Sequence, residues 1–289
     1  MPKTTQELLD VLVLDQWDDV TLRGKQPRTL MQRTYGGQVL AQAMMACYAS
    51  MPDERAIHSL HAYFMRAGRN DRGIDYRVNN LRDGSSFSTR ALTAFQDKPI
   101  LEMSASFHTY ESGLDHCDPM PEPLPNPDDC RPFLDVMTER FGQSPIWHEW
   151  DALDVRFIGD SNDPVNDRLR RHPARMQVWV RTEGEMPDDQ PLHASVLAYL
   201  SDLTLSSVAT IPHKVEFMSS QLQVASISHS MWFHRPARAD SWLLYDMESL
   251  SACSSIGYGF GRIFQDGKLV ASCAQEGLIR IVDDRPLLT

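Results

Sequence analysis

Cysteine is scarce in this sequence and never paired at short range. Cys47, Cys117, Cys130, Cys253 and Cys273 make no Cys-x-x-Cys and no spacing that suits a metal ion. An odd, scattered set points to free thiols in a reducing compartment rather than a disulfide framework. Positive charge is also in deficit. Against 39 Asp and Glu stand 28 Lys and Arg, leaving a net charge of −11 and a pI near 5.3, which argues against a nucleic-acid or membrane-surface binder. The strongest basic run, RGKQPRTLMQR (23–33), reads as a solvated face, with phosphate contact as the alternative. The N-terminal MPKTTQELLDVLVLDQW lacks the basic start and unbroken apolar core of a signal peptide. No apolar run reads as approaching membrane-spanning length, and the final PLLT is no peroxisomal or reticulum address. A cytoplasmic protein with no metal, no cofactor, no nucleic-acid partner and no stable membrane association is expected.

What is present is enough for a core: 289 residues, 42% of them apolar, suit one large domain or two small ones. The chain also repeats itself. VLAQAMM (39–45) lies over VLAYLSD (196–202), HAYFMR (61–66) resembles HSMWFHR (229–235), and FQDKPILEMSASF (95–107) lies over FQDGKLVASCAQE (264–276). The matches keep the same order, at offsets of 157 to 169 residues. Each half starts with an apolar helix of about four turns, GGQVLAQAMMACYAS or LHASVLAYLSDLTLS, followed by strand-like runs rich in aromatic and β-branched residues. QDGK (265–268) reads as a hairpin turn, because Asp-Gly tolerates positive φ. A helix followed by antiparallel strands is an α+β plan in which the sheet wraps the helix. This divides the chain into an N-terminal domain (1–114), a connector rich in proline and acid (115–165) and a C-terminal domain (166–289). The stretch FLDVMTERFGQSPIWHEWDALDVRF either covers a surface or completes a sheet edge.

The repeat supplies an internal control. On these offsets Asp202 lies opposite Met45, Gln275 opposite Ser106 and Ser226 opposite His58. Only the second half thus carries an acid, a hydroxyl and an amide together. An unpaired carboxylate in an apolar helix is costly, so Asp202 neutralises or finds partners. The trio suits two roles: a satisfied polar pin between helix and sheet, or a site that holds and activates a water beside an electrophilic carbon. The residue types alone do not choose. A serine nucleophile on a Gly-x-Ser-x-Gly elbow is unsupported, since the motif is missing.

At this point YGGQVLAQA, HSLHAYFMRAG, LRDGSSFSTRALTAFQ, AYLSDL, ASISHSMWFHR, DSWLLY and DGKLVASCAQEGLIR together resemble the type II acyl-CoA thioesterases, the TesB-like group that also includes peroxisomal enzymes. The likeness runs from about Tyr35 to Arg280. It implies a double hotdog, two tandem repeats each with a long helix wrapped by an antiparallel sheet. It implies hydrolysis of acyl-CoA to free acid and CoA without a covalent intermediate. It places the catalytic Asp, Ser and Gln on Asp202, Ser226 and Gln275, and it implies a homodimer or homotetramer. The chain departs from the family pattern at Ser228, where Asp is usual, and at Ile256, where Arg is frequent. Those departures keep a non-catalytic acyl-CoA binder in view as the alternative, and a hotdog dehydratase as a weaker third reading.

Other candidates read as structural. His58 and His61 sit in the half without the acid and suit buried hydrogen bonding better than catalysis. GYGFG (257–261) is too short and wrongly placed for a dinucleotide fingerprint and suits sheet curvature. YGGQ (35–38) opens the first helix, where backbone N–H groups can meet a phosphate or carbonyl, though close helix–sheet packing explains the glycines as well. Most of the 14 methionines read as core filler, and a few, such as Met44, Met45 and Met65, are candidates to line an acyl tunnel, since methionine adapts to variable chains.

Overall fold

The computed structural model describes residues 1–52, 55–163, 166–213, 215, 217 and 221–282. The C-terminal PLLT lies outside them. In chain order the elements are α1 (Thr5–Leu12), β1 (Leu14–Gln16), β2 (Thr21–Gly24), α2 (Gly36–Tyr48), β3 (Arg55–Phe64), β4 (Ile74–Asp83), β5 (Phe87–Phe95) and β6 (Pro99–Thr109). Then come β7 (Arg131–Pro132), α3 (Phe133–Phe141), β8 (Leu153–Asp160), α4 (Asp167–Arg170), β9 (Arg175–Thr182), α5 (Gln190–Ser201) and β10 (Leu222–Phe233). The last three are β11 (Leu243–Cys253), β12 (Ile256–Gln265) and β13 (Lys268–Ile281), and short 3-10 segments include Pro145–Trp150 and Leu205–His213.

Among the described residues all strands join one antiparallel sheet in the order β1-β2-β4-β5-β6-β3-β10-β13-β12-β11-β9-β8-β7. It wraps two central helices, α2 and α5, which pack on each other. Burial explains their composition: nearly every residue from Gly37 to Cys47 is buried, as is most of α5. A helix surrounded by sheet needs apolar side chains all round. This is the α+β double hotdog expected from the sequence. The hairpin at QDGK forms as expected, with Asp266 and Gly267 at φ 50° and 76°.

The two halves meet at β3 and β10, and strand pairing there fixes how they correspond. β3 pairs with β6 until an irregularity at His58, between Ile57 and Ser59. β10 pairs with β13 until the same irregularity at Ile227, between Ser226 and Ser228. Matching the bulges sets Ile57 against Ser226 and Leu60 against His229. Leu60 faces Ala105 on β6, and His229 faces Gln275 on β13, so Ala105 is the counterpart of Gln275. The junction confirms the register: Tyr63 pairs with Ser228 and Ser59 with Trp232, each pair the image of the other. His61 and Ser230 sit on the approximate dyad, joined Nδ1 to Oγ at 3.0 Å.

This corrects the sequence register by one residue on these strands. His58 and Ser106 are not the counterparts of Ser226 and Gln275, nor is His61 that of His229. In a strand, a slip of one residue moves a side chain to the opposite face. His58 and Ser106 hydrogen-bond each other at 2.8 Å beside Phe87 and His108, away from the helices. Their inward neighbours Ile57, Leu60 and Ala105 are buried core.

Two further expectations change. The segment Gln190–His213 is long and apolar enough to span a membrane by length and composition, so one such run does exist. It is the core helix α5 with its 3-10 extension, and 67% of the apolar window is buried inside the fold. The helix also stops earlier than its pattern suggests. It ends at Ser201, with Asp202 as the C-cap residue at φ −85°, ψ −4°. The stretch left unplaced by the sequence does both things considered for it. Its last residues open β8, which extends the sheet beyond β9, while α3 and Pro145–Trp150 cover a cavity.

Candidate active site

Asp202 leaves the end of α5 just where the start of α2 arrives. The α2 N-cap, Tyr35, makes no side-chain capping bond. The Asp202 carboxylate does that work from the other half: its Oδ2 accepts the Gly37 N–H at 2.9 Å. A carboxylate also suits the positive end of the helix dipole. Two glycines allow this approach. A Cβ on Gly36 would lie 2.6 Å from Asp202 Oδ2, and one on Gly37 would lie 2.3 Å from the Tyr199 carbonyl oxygen. The Gly37 amide of YGGQ therefore meets a protein carboxylate.

The other carboxylate oxygen, Oδ1, accepts from Gln275 Nε2 at 2.7 Å and from Ser226 Oγ at 3.1 Å. Gln275 Nε2 also stands 2.9 Å from Ser226 Oγ and 2.9 Å from Ser206 Oγ. The three sequence candidates thus come together in one hydrogen-bonded cluster. Ser206 and the Gly37 amide join them, and neither was found in the sequence. Ser206 sits in a run of small polar residues with no motif around it, and a backbone donor has no side chain to read. Behind Gln275, its Oε1 contacts His229 Nδ1 at 2.9 Å, and His229 Nε2 contacts Ser201 Oγ at 2.9 Å.

Burial raises the Asp202 carboxyl from 3.8 to about 6, opposed by hydrogen bonds from Gln275, Ser226 and Gly37. Burial lowers the His229 imidazole from 6.5 to about 4, opposed by its bond to Gln275. A carboxylate with its pKa lifted toward neutrality, beside a neutral histidine, has the electrostatics of a general base near pH 7.

Asp202, Ser206 and Ser226 line a cavity of about 1190 Å³. Its walls come from both halves and from the covering segment, including Val39, Phe64, Ile100, Phe133, Met137 and Trp150. Of the three methionine candidates for a tunnel, only Met65 lines this cavity. Met44 is fully buried against the sheet, and Met45 packs on the core. Arg33, from the basic run, lines the cavity together with Arg66, while Arg23 pairs with Asp75 and stacks on Trp17. His58 and His61 are outside the lining. The glycines of GYGFG serve close packing: a Cβ on Gly259 would lie 2.5 Å from the Leu205 carbonyl oxygen. Ser228 bonds Glu276, and Ile256 is exposed at the start of β12, so neither family departure touches the cluster. Among the described residues no three His, Cys, Asp or Glu side chains converge as metal ligands would.

The C-terminal half matches the acyl-CoA thioesterase family model over residues 159–278, and the N-terminal half matches the acyl-CoA thioesterase N-terminal domain model over residues 26–108. The chain belongs to the acyl-CoA thioesterase family. It is 37% identical to acyl-CoA thioesterase 2 of Haemophilus influenzae over 290 residues, covering 97% of this chain and 99% of that one. It is 36% identical to human acyl-coenzyme A thioesterase 8, covering 94% and 88%. Among solved structures, the acyl-CoA thioesterase II TesB2 of Mycobacterium marinum superposes with a TM-score of 0.80 at 36% identity, covering 96% of this chain and 99% of that one.

Proposed function

We propose that this protein hydrolyses acyl-CoA thioesters to the free acid and CoA, with Asp202 activating a water. The observation that carries the reading is the state of the Asp202 carboxylate. Oδ1 accepts two donors, and Oδ2 accepts one, the Gly37 amide. One lone pair on Oδ2 is left for a water, beside cavity-lining Gly36.

The chemistry then balances. A water donates to Oδ2, and its oxygen adds to the thioester carbonyl carbon as the proton passes to the carboxylate. The tetrahedral adduct collapses, the C–S bond breaks, and the proton returns to the leaving sulfur. Thioesters have little resonance stabilisation and a good leaving group, so placement and charge stabilisation do much of the work. Gln275 has both amide hydrogens among Asp202, Ser206 and Ser226. Its role in this reading is to hold base and serine, and the developing oxyanion falls to a first-turn amide of α2, which has no intrahelical partner. The apolar walls suit an acyl chain, and Arg33 and Arg66 bring positive charge to the cavity of an acidic protein, as an anionic CoA ester requires.

The test is thiol release from a panel of straight-chain acyl-CoAs, with Asp202→Asn alongside. Release by the parent and its collapse in the variant supports the reading. Tight binding without release from any member would instead make the fold an acyl-CoA binder. An enoyl product would move it to the dehydratases, a role for which His229 is badly placed, since it lies behind Gln275 and outside the cavity lining.

A further inference from the structure

Beyond the three site residues, a fourth polar side chain of β10 distinguishes the second half. His229 is fully buried, as is its partner Ser201, and His229 has Leu60 as its counterpart on β3. An imidazole in place of a leucine, in an otherwise repeated core, is costly unless its hydrogen bonds serve something.

The proton on each atom follows from the partners. Gln275 Nε2 faces the Asp202 carboxylate at 2.7 Å, and the reversed amide would set two acceptors against each other there. Gln275 Oε1 therefore faces His229, and an amide oxygen only accepts, so His229 Nδ1 carries the hydrogen. Burial keeps the ring neutral, which leaves Nε2 bare to accept from Ser201 Oγ at 2.9 Å. The Ser201 hydroxyl also lies 2.9 Å from the Ala198 carbonyl. Its single hydrogen is shared between that carbonyl and the ring nitrogen. The donors that set the amide then run in one direction: His229 to Gln275, Gln275 to Asp202.

We propose that His229 is a positioning residue for thioester hydrolysis, locking the Gln275 amide so that its N–H groups face the Asp202 carboxylate and Ser226. This rests on the reading of Asp202 as the base. Without the imidazole, the amide is free to rotate and present its oxygen to the carboxylate. Two effects follow. The water-holding geometry is lost in a fraction of molecules, so kcat falls. The ionised form of Asp202 loses a donor, so its proton is held more tightly. The other titratable groups around Asp202 are Tyr35 at the start of α2, Tyr245 on β11 and Cys273 on β13. Burial holds all three neutral near pH 6, with the Cys273 thiol at about 12. The acid limb of the rate profile therefore belongs to Asp202.

The experiment is thiol release from an acyl-CoA that the parent hydrolyses, measured from pH 5 to 8 for His229→Leu, the residue the first half carries. Expected are a kcat lowered on the order of tenfold to a hundredfold, as for loss of one preorganised polar contact, a KM within about twofold, and an acid limb moved to higher pH. In a Gln275→Met background, His229→Leu should add no further loss, because the amide it orients is gone. Ser201→Ala, which frees the far ring nitrogen, should move kcat and the limb in the same direction by less, and it stands in if His229→Leu does not fold. An unchanged kcat and limb in the folded variants, or an undiminished His229→Leu loss in the Gln275→Met background, overturns the proposal. Asp202→Asn separates the two ideas: if it is inactive while His229→Leu is normal, only the positioning role fails, and if it is fully active, the site reading itself fails.

Discussion

The two halves of this protein share one backbone plan and fill the same inward places with opposite chemistry. In the first half, Ile57, Leu60 and Ala105 face inward from β3 and β6, and Met45, which the sequence overlay sets against Asp202, packs on the core. In the second, the places are held by Ser226, His229, Gln275 and Asp202. The first set is cheap to bury and simply removes apolar surface from water. The second must answer each desolvated polar atom with a partner, and it does so partly within itself and partly through Ser201, Ser206 and the Gly37 amide. One copy of the plan is filled with apolar core, and the other holds a charge next to a cavity. The charge is kept at a cost. Folded Asp202 holds its proton more tightly than the unfolded chain does, about 6 against 3.8. Stability from this group is therefore present below pH 4 and lost as pH rises through about 6, amounting to roughly 3 kcal/mol at 1.36 kcal/mol per pH unit.

The largest expected effect comes from removing that charge. Asp202→Asn should lower kcat by roughly a hundredfold to ten-thousandfold, the usual worth of a positioned base, whereas Met45→Leu should stay within about twofold of the parent. In the parent, kcat/KM should rise with pH along an acid limb centred near the Asp202 value of about 6. Asp202→Asn should also flatten the stability-against-pH curve from pH 4 to 6, measured by urea unfolding. A limb near 4, or equal rates for Asp202→Asn and parent, would erase the distinction between the halves.

Much of this contrast is legible in the sequence. The apolar helices, the β-branched strands and the order of the three matches all survive, and Asp202, Ser226 and Gln275 do converge. The register is where sequence runs out. Phe95 and Pro99 close their hairpin with three residues between them, while Phe264 and Leu269 have four. A straight overlay of FQDKP on FQDGK hides that extra residue, and every position after it shifts to the wrong face. Hence Ser106, an outward residue, stood in for Ala105. Strand β9, between β11 and β8, is not read from the sequence because it belongs to no matched segment. The link between Asp202 and the Gly37 amide is invisible because it joins a side chain to backbone across the two halves.

The next effect down swaps one half's residue into the other. Gln275→Ala, which puts the Ala105 side chain into the second half, should cost kcat on the order of a hundredfold, in the range for loss of a preorganised donor. It should raise the acid limb as well, since a hydrogen bond that favours the Asp202 anion goes with it. A variant retaining more than half of the parental kcat would show that Ser226 and Gly37 suffice to hold the carboxylate. Smaller again is Gly36→Ala. Its new methyl would sit 2.6 Å from Asp202 Oδ2 and 3.1 Å from Phe64. The carboxylate must shift, so kcat should fall about tenfold, with a stability loss of about 1–3 kcal/mol from overpacking. Thermal melting and initial rates on the same preparation check both; an unaltered rate would mean the carboxylate has room to move without leaving its station.

The smallest expected effect tests the register itself. If the sequence overlay were right, His58 and Ser106 would mirror Ser226 and Gln275 and face the core between sheet and helix. In the register set by the two bulges they face outward, bonded to each other at 2.8 Å and flanked by Phe87 and His108. Removing an outward, solvent-screened pair takes away one hydrogen bond worth about 1 kcal/mol and touches neither cavity nor carboxylate. His58→Ala and Ser106→Ala should therefore each leave kcat and the acid limb within about twofold and lower stability slightly. Their stability losses should also be less than additive in the double variant, because each removes the same bond. A tenfold fall in kcat from His58→Ala would bring the outer face of the first half into the reaction, and the division between a structural half and a chemical half would no longer hold.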